Sequence, residues 1–199
     1  MKYLVMLFGA NDAVLPLPTT CQHVPMDEYE RNLRAMIRHP RIAAHKAKVL
    51  LVTPPPVDEL KLAKLDVDAG HASATRSFGT SAAYSERARA VARDSMKEGR
   101  GGIEEEDVVL IDLWQALMDE AMAMAPQHQQ PGGPWLGSPE NGKAGGLEQL
   151  LPDGLHMGGA GYKVLYELIR PHIGREWTGQ ETEAGFVLPG WRQVNGAKV

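Results

Sequence analysis

The sequence predicts an α/β fold of three layers, a parallel sheet with helices on both faces. Two observations carry that expectation. Three short apolar runs, Tyr3–Phe8 (YLVMLF), Lys48–Thr53 (KVLLVT) and Val108–Leu113 (VVLIDL), lack period-2 polar alternation. Strands buried on both faces of a parallel sheet have this character. Segments of helical periodicity lie between and after the runs, and strands that alternate with helices imply right-handed crossovers.

The first run superficially resembles a secretory leader, because Lys2 precedes an apolar core. The core is only six residues long, and Asn11-Asp12 follows soon after it, so a buried strand is the better reading. A helix is expected over Met26–His39, with Tyr29, Leu33, Met36 and Ile37 on one face, Asp27 in its first turn and Pro40 behind it. A second is expected over Ser81–Lys97, with Tyr84, Ala88, Val91 and Ala92 at helical spacing. Trp114–Met124 reads as the third. Gly158–Ile173 reads as the fourth, with Tyr162, Leu165, Leu168 and Ile169 on its face. Residues 54–80, with a triple proline and a polar DVDAGHASATRS run, and residues 126–146, rich in Pro, Gly and Gln, read as irregular. The expected organisation is one domain over 1–173 and a C-terminal extension over 174–199. Trp177, Phe186 and Trp191 suggest that the extension packs on the body.

Composition narrows the function classes. A formal net charge of −4 leaves no electrostatic footprint for nucleic acid or an anionic membrane. No stretch approaches the about 18 apolar residues that a membrane span needs. Cys21 is the single cysteine, so no disulfide can form within the chain. A reducing setting is compatible with that, and the cytoplasm is the expected location.

In open parallel sheets ligands bind beyond the carboxyl ends of the strands. Three segments therefore matter: Gly9–Asp12, Thr53–Pro56 and Asp112–Trp114. Asp153 and His156 add a further pair, three residues apart before the last helix. A histidine acting as a base needs its second nitrogen held by a carboxylate, which sets the tautomer and stabilises the imidazolium. By spacing alone, a helix-capping aspartate beside a surface histidine explains the pair as well or better. Asn11 after the first strand offers an amide donor for a developing oxyanion, and such a donor is typically worth about 2.7–4 kcal/mol of barrier lowering. By itself, GAND is also an ordinary turn.

Taken together, FGAND after a strand and LLPDGLHMGGAGY before a final helix resemble the third and fifth blocks of the SGNH (GDSL) hydrolase family. GANDA, QHVPMDEYERNLRAMI, VLLVTPPPVDE, Asp112-Leu113-Trp114 and the tail piece FVLPGWR resemble its isoamyl acetate-hydrolysing esterase-like branch. The resemblance covers most of residues 3–172. It implies a flavodoxin-like sheet and hydrolysis of a small-molecule ester, of the short-chain acetate class, through a Ser-His-Asp triad. His156 would be the base, Asp153 its orienting carboxylate and Asn11 the oxyanion donor. Gly9 would let the loop approach closely. No metal or organic cofactor is implied.

The sequence departs from the family in one respect that bears on activity. The family's nucleophile lies in a Gly-Asp-Ser block after its first strand, and a second block supplies an oxyanion glycine. Neither block is present. Ser73, Ser77, Ser81, Ser85, Ser95 and Ser138 are the serines, and none follows Gly-Asp. The expectation is a fold lacking its first strand-helix-strand portion, from a shortened gene product or gene model, with negligible esterase activity. Strand 3–8 would then present an open edge through which a homodimer is expected to form. The competing expectation is a non-catalytic remnant that binds an ester or a protein.

The other candidates weigh less. Cys21 lacks a local nucleophile motif. Asp66, Asp68 and His71 lie in a polar loop without matching metal ligands elsewhere. Glu104–Asp107 reads as a solvated loop. Gly99–Gly102 and Gly158–Gly161 lack the strand-first context of a nucleotide loop, and the latter reads as the start of the last helix.

Overall fold

The three apolar runs form a parallel sheet in the order β1-β2-β3. The computed structural model describes residues 2–18, 20–98, 108–128 and 133–173. Strands β1 (Tyr3–Leu7), β2 (Lys48–Val52) and β3 (Val108–Ile111) alternate with helices α1 (Met26–Ile37), α2 (Pro40–Ala43), α3 (Glu59–Asp68) and α4 (Phe78–Glu98). Helices α5 (Leu113–Met124), α6 (Leu147–Leu150) and α7 (Gly159–Ile169) follow β3. The register pairs Tyr3 with Lys48 and Leu7 with Val52, then Val49 with Val108 and Val52 with Ile111.

Alternate residues of the central strand separate two cores, which is why β2 is apolar throughout. Val49 and Leu51 pack with Tyr29, Leu33 and Ile37 of α1 and with Tyr84, Ala88, Val91 and Ala92 of α4. Leu50 and Val52 pack on the other side with Leu117 and Met118 of α5 and with Leu147 and Leu150 of α6. The sheet therefore lies between two helical layers, the expected α/β sandwich. Ion pairs tie α1 to α4 along their solvent side, Arg34 to Asp94 at 2.6 Å and Arg87 to Glu30 at 2.8 Å.

Three expectations need correction. Part of the irregular stretch 54–80 is helix α3, started by Asp58, whose carboxylate accepts from the Lys61 N–H at 3.2 Å. Helix α4 begins three residues before Ser81, because the Ser77 hydroxyl caps it by accepting from Thr80 N at 3.1 Å. Tyr162 does not face the core. It is 58% exposed, while Gly161 is buried and Val164, Leu165, Leu168 and Ile169 pack inward. Helix α7 comes close at Gly161, where a Cβ would stand 2.8 Å from the Leu150 carbonyl oxygen.

Strand ends shift by one or two residues. Leu113 belongs to α5, because Asp112 caps that helix by accepting from Gln115 N at 3.2 Å. Met1–Ile169 forms one compact unit, and a second begins at Arg170 with a short 3₁₀ turn, Arg170–His172. The packing expected of residues 174–199, and the readings of Gly99–Gly102 and Glu104–Asp107, fall outside the described residues. Among the described residues no helix is long and apolar enough to cross a membrane.

Candidate active site

The candidate residues stand on loops at the carboxyl end of the sheet. β1 runs into the turn Gly9–Ala13, closed by Ala13 N donating to Gly9 O at 3.0 Å and by Gly9 N donating to Asp12 Oδ2 at 3.1 Å. Gly9 has φ +114°, and a Cβ there would lie 2.9 Å from both Tyr29 Oη and Pro54 Cγ. The position thus excludes a side chain by conformation and by space. Tyr29, from α1, donates to the Phe8 carbonyl at 3.1 Å and so fixes the end of β1. Burial, followed by the charge of Asp12 and the neighbouring Tyr84, pushes the Tyr29 phenol well above its ordinary pKa, so it remains a donor.

The loop 53–58 after β2 contacts both candidate segments. Its Pro54 borders Gly9. At its far end, Asp58 N donates to Gly154 O at 2.9 Å, and the Lys61 ammonium donates to Pro152 O. These bonds dock the Asp153–His156 loop. Gly154 makes the docking possible: φ is +85°, and a Cβ would meet Asp58 O at 3.0 Å.

Asp153 and His156 are brought together, the arrangement that the resemblance implied and that spacing alone did not favour. His156 Nδ1 lies 2.7 Å from Asp153 Oδ2, while Asp153 Oδ1 accepts from Leu155 N at 2.9 Å and His156 N at 2.7 Å. An ionised carboxylate only accepts, so Nδ1 carries a proton, and in the neutral ring Nε2 is then the nitrogen with the lone pair. Burial works against the Asp153 charge, but the bonds from the His156 ring and from the two N–H groups outweigh it and lower the carboxyl to about 2. The histidine side chain is 78% exposed. Asp153 caps no helix, because α7 begins only at Gly159: one carboxylate oxygen orders the loop backbone and the other holds the ring.

Asn11 is exposed in the first turn, and its Oδ1 accepts from Arg76 Nη2 at 3.2 Å. Arg76 was not singled out in the sequence, whereas the segments after β2 and β3, which meet at Thr53 and Asp112, were. There Thr53 Oγ1 accepts from Trp114 N at 2.9 Å and bonds Asp112 Oδ1 at 3.4 Å. Asp112 also receives a two-pronged fork from Arg89 at 2.8 and 2.9 Å. Burial opposes ionisation of Asp112, but the Arg89 fork and the Gln115 N–H hold its pKa below the usual range.

The serines are engaged elsewhere or stand apart. Ser81 and Ser85 are buried and donate to Pro55 O and Pro54 O, Ser77 bonds Thr80, and Ser138 donates to Trp135 O. Ser95 is buried among helical core residues and Ser73 is exposed. Cys21 is exposed on the loop before α1. Asp66 accepts from the N–H and hydroxyl of Thr75, ordering the loop after α3.

A parallel α/β sheet with an aspartate-held histidine at its carboxyl end has the form of a hydrolase. Residues 1–169 match the model of the GDSL-like Lipase/Acylhydrolase family, and the chain belongs to that family. It is 26% identical to the isoamyl acetate-hydrolyzing esterase 1 homolog of Mus musculus, covering 98% of this chain and 63% of that protein. It is 28% identical to a GDSL esterase/lipase of Arabidopsis thaliana over 89% of this chain and 61% of that one. The chain thus spans under two thirds of these relatives. A solved alpha/beta hydrolase enzyme from the metagenome of Lake Arreo, Spain, is 21% identical, covering 85% of this chain and 58% of its own, with a TM-score of 0.49.

Proposed function

We propose that the chain carries the base and oxyanion half of an ester-hydrolysing site. The carrying observation is the 2.7 Å His156–Asp153 bond, which leaves Nε2 as the proton acceptor. In the complete reaction a serine hydroxyl adds to the ester carbonyl while its proton passes to His156 Nε2. Asp153 stabilises the imidazolium, Asn11 Nδ2 donates to the oxyanion, and His156 returns the proton to the departing alcohol. Water then repeats the sequence on the acyl-enzyme. Short acetate esters are the proposed substrates, a reading supported by the name of the mouse relative. The nucleophile belongs to a Gly-Asp-Ser segment that these 199 residues do not contain.

The 199-residue chain alone is expected to be nearly inert. Loss of a triad nucleophile costs about 10⁶ in kcat where it has been measured. A fluorophosphonate probe should leave it unlabelled, and short acetate esters should be hydrolysed at background rate. Robust hydrolysis by this chain, abolished in His156→Ala, would overturn the assignment of the nucleophile. The engagement of Ser81, Ser85 and Ser138 favours a second reading, a non-catalytic binding protein. The intact mass of the protein from its source cells separates the two. A mass well above 21.7 kDa with an in-frame Gly-Asp-Ser supports the esterase, and a mass of 21.7 kDa supports the binding protein.

A further inference from the structure

An asparagine stabilises an oxyanion only through its nitrogen. A flipped amide would present Oδ1, an acceptor, to developing negative charge. Something must therefore hold the oxygen end of Asn11 on the side away from substrate. Arg76 has the right chemistry, because a guanidinium carries five N–H donors and no acceptor and can engage only oxygen. Its Nη2 donates to Asn11 Oδ1 at 3.2 Å and to Gln22 Oε1 at 3.4 Å, and its Nε donates to Ala10 O at 3.2 Å. These three partners are neutral oxygens, two of them from adjacent residues of the turn.

Arg76 is itself held from both sides. Thr75 O accepts from Leu15 N at 2.8 Å, Thr75 N and Oγ1 donate to Asp66 Oδ2 at 2.6 and 2.9 Å, and Ser77 caps α4. The loop before α4 thus presents a planar fork to the turn after β1. We propose that Arg76 is a positioning residue: its fork fixes the Ala10–Asn11 turn and the amide orientation in which Asn11 Nδ2 faces the ester carbonyl. This rests on the oxyanion role proposed for Asn11.

The test uses the full chain labelled with ¹⁵N-asparagine. Its asparagines, at 11, 32, 141 and 195, give four side-chain amide pairs. Asn11→Asp assigns the relevant pair. Asn141, whose Nδ2 donates to Pro134 O at 2.7 Å, serves as the internal reference for a bonded amide. In the native chain the Asn11 pair should show a heteronuclear NOE as high as that of Asn141. In Arg76→Met it should fall to that of a freely rotating side chain, with the Asn32 and Asn141 pairs unmoved. Arg76→Lys, a point donor without the planar fork, should give an intermediate value. If Arg76→Met fails to fold, Arg76→Lys alone decides. An Asn11 pair with native shift and NOE in every folded variant overturns the proposal. The readout needs no catalysis, so it is distinct from failure of the oxyanion role. That failure would appear as Asn11→Ala leaving hydrolysis unchanged in a form that carries the serine.

Discussion

Asp153 accepts three hydrogen bonds, and the acid limb of the stability curve should register them. Against the cost of burial, the His156 ring and the two N–H groups hold its carboxyl at about 2 in the folded chain, below the ordinary 3.8. Between those values the unfolded chain binds a proton that the native chain does not, so stability rises with pH across this window. The contribution is present above about pH 4 and is lost as pH falls toward 2. Asp153→Asn should flatten that part of a urea-midpoint against pH profile and leave the profile above pH 5 parallel to the native one. A variant with the native acid limb would mean that these bonds place no differential hold on the charge. The same substitution leaves one oxygen for the Leu155 and His156 N–H groups and turns an NH2 donor toward His156 Nδ1, so the tautomer is disturbed together with the slope.

At the scale of elements, the carboxyl ends of β2 and β3 are joined through Thr53, whose N–H donates to Ile111 O at 3.0 Å. Thr53 is fully buried, and its hydroxyl oxygen accepts from the Trp114 N–H of α5 and bonds the Asp112 cap. Thr53→Val keeps the shape and strands the Trp114 N–H, a loss of about 1–3 kcal/mol for a buried unsatisfied donor. Thr53→Ser should recover most of it in chemical denaturation, and a neutral Thr53→Val would show that the junction is not tied there. The central strand was legible because burial on both faces leaves a short continuous apolar run, and β1 and β3 share that character although they are less fully buried. The dyad and the glycine turn were legible only together, as two short local blocks that resemble a family, since each alone reads as a capping aspartate or an ordinary turn. Helix α3 was not, since its start lies in a single cap, Asp58, directly behind a proline run. Nor was Arg76, whose partner is 65 residues away and whose role exists only once the loops have met. The misplaced Tyr162 has a similar cause. Periodicity marks an apolar stripe on α7 but not where the neighbouring helices stop covering it.

At the scale of the whole molecule, β1 has one paired neighbour, β2, and its other side is an edge among the described residues. Val5 and Phe8 are 46% and 48% exposed there. A largely apolar groove of about 510 Å³ runs alongside, lined by residues that include Phe8, Tyr29, Leu33, Met36 and Ile42. Among the described residues no second strand lies on that side of β1, so its apolar side chains offer a surface for a second chain, and natural edges are often guarded by a lysine. Here Lys2 precedes the strand, and no lysine lies within it. The homodimer expected from the sequence therefore remains our proposal for the isolated chain. Sedimentation velocity from low to high micromolar concentration should show reversible association, and Val5→Lys should abolish it by placing a charge on the exposed strand. Val5 is outside both cores, so the variant should keep the native urea midpoint. A native chain that stays monomeric throughout would rule out edge pairing, and the exposed face of β1 would then need a different account.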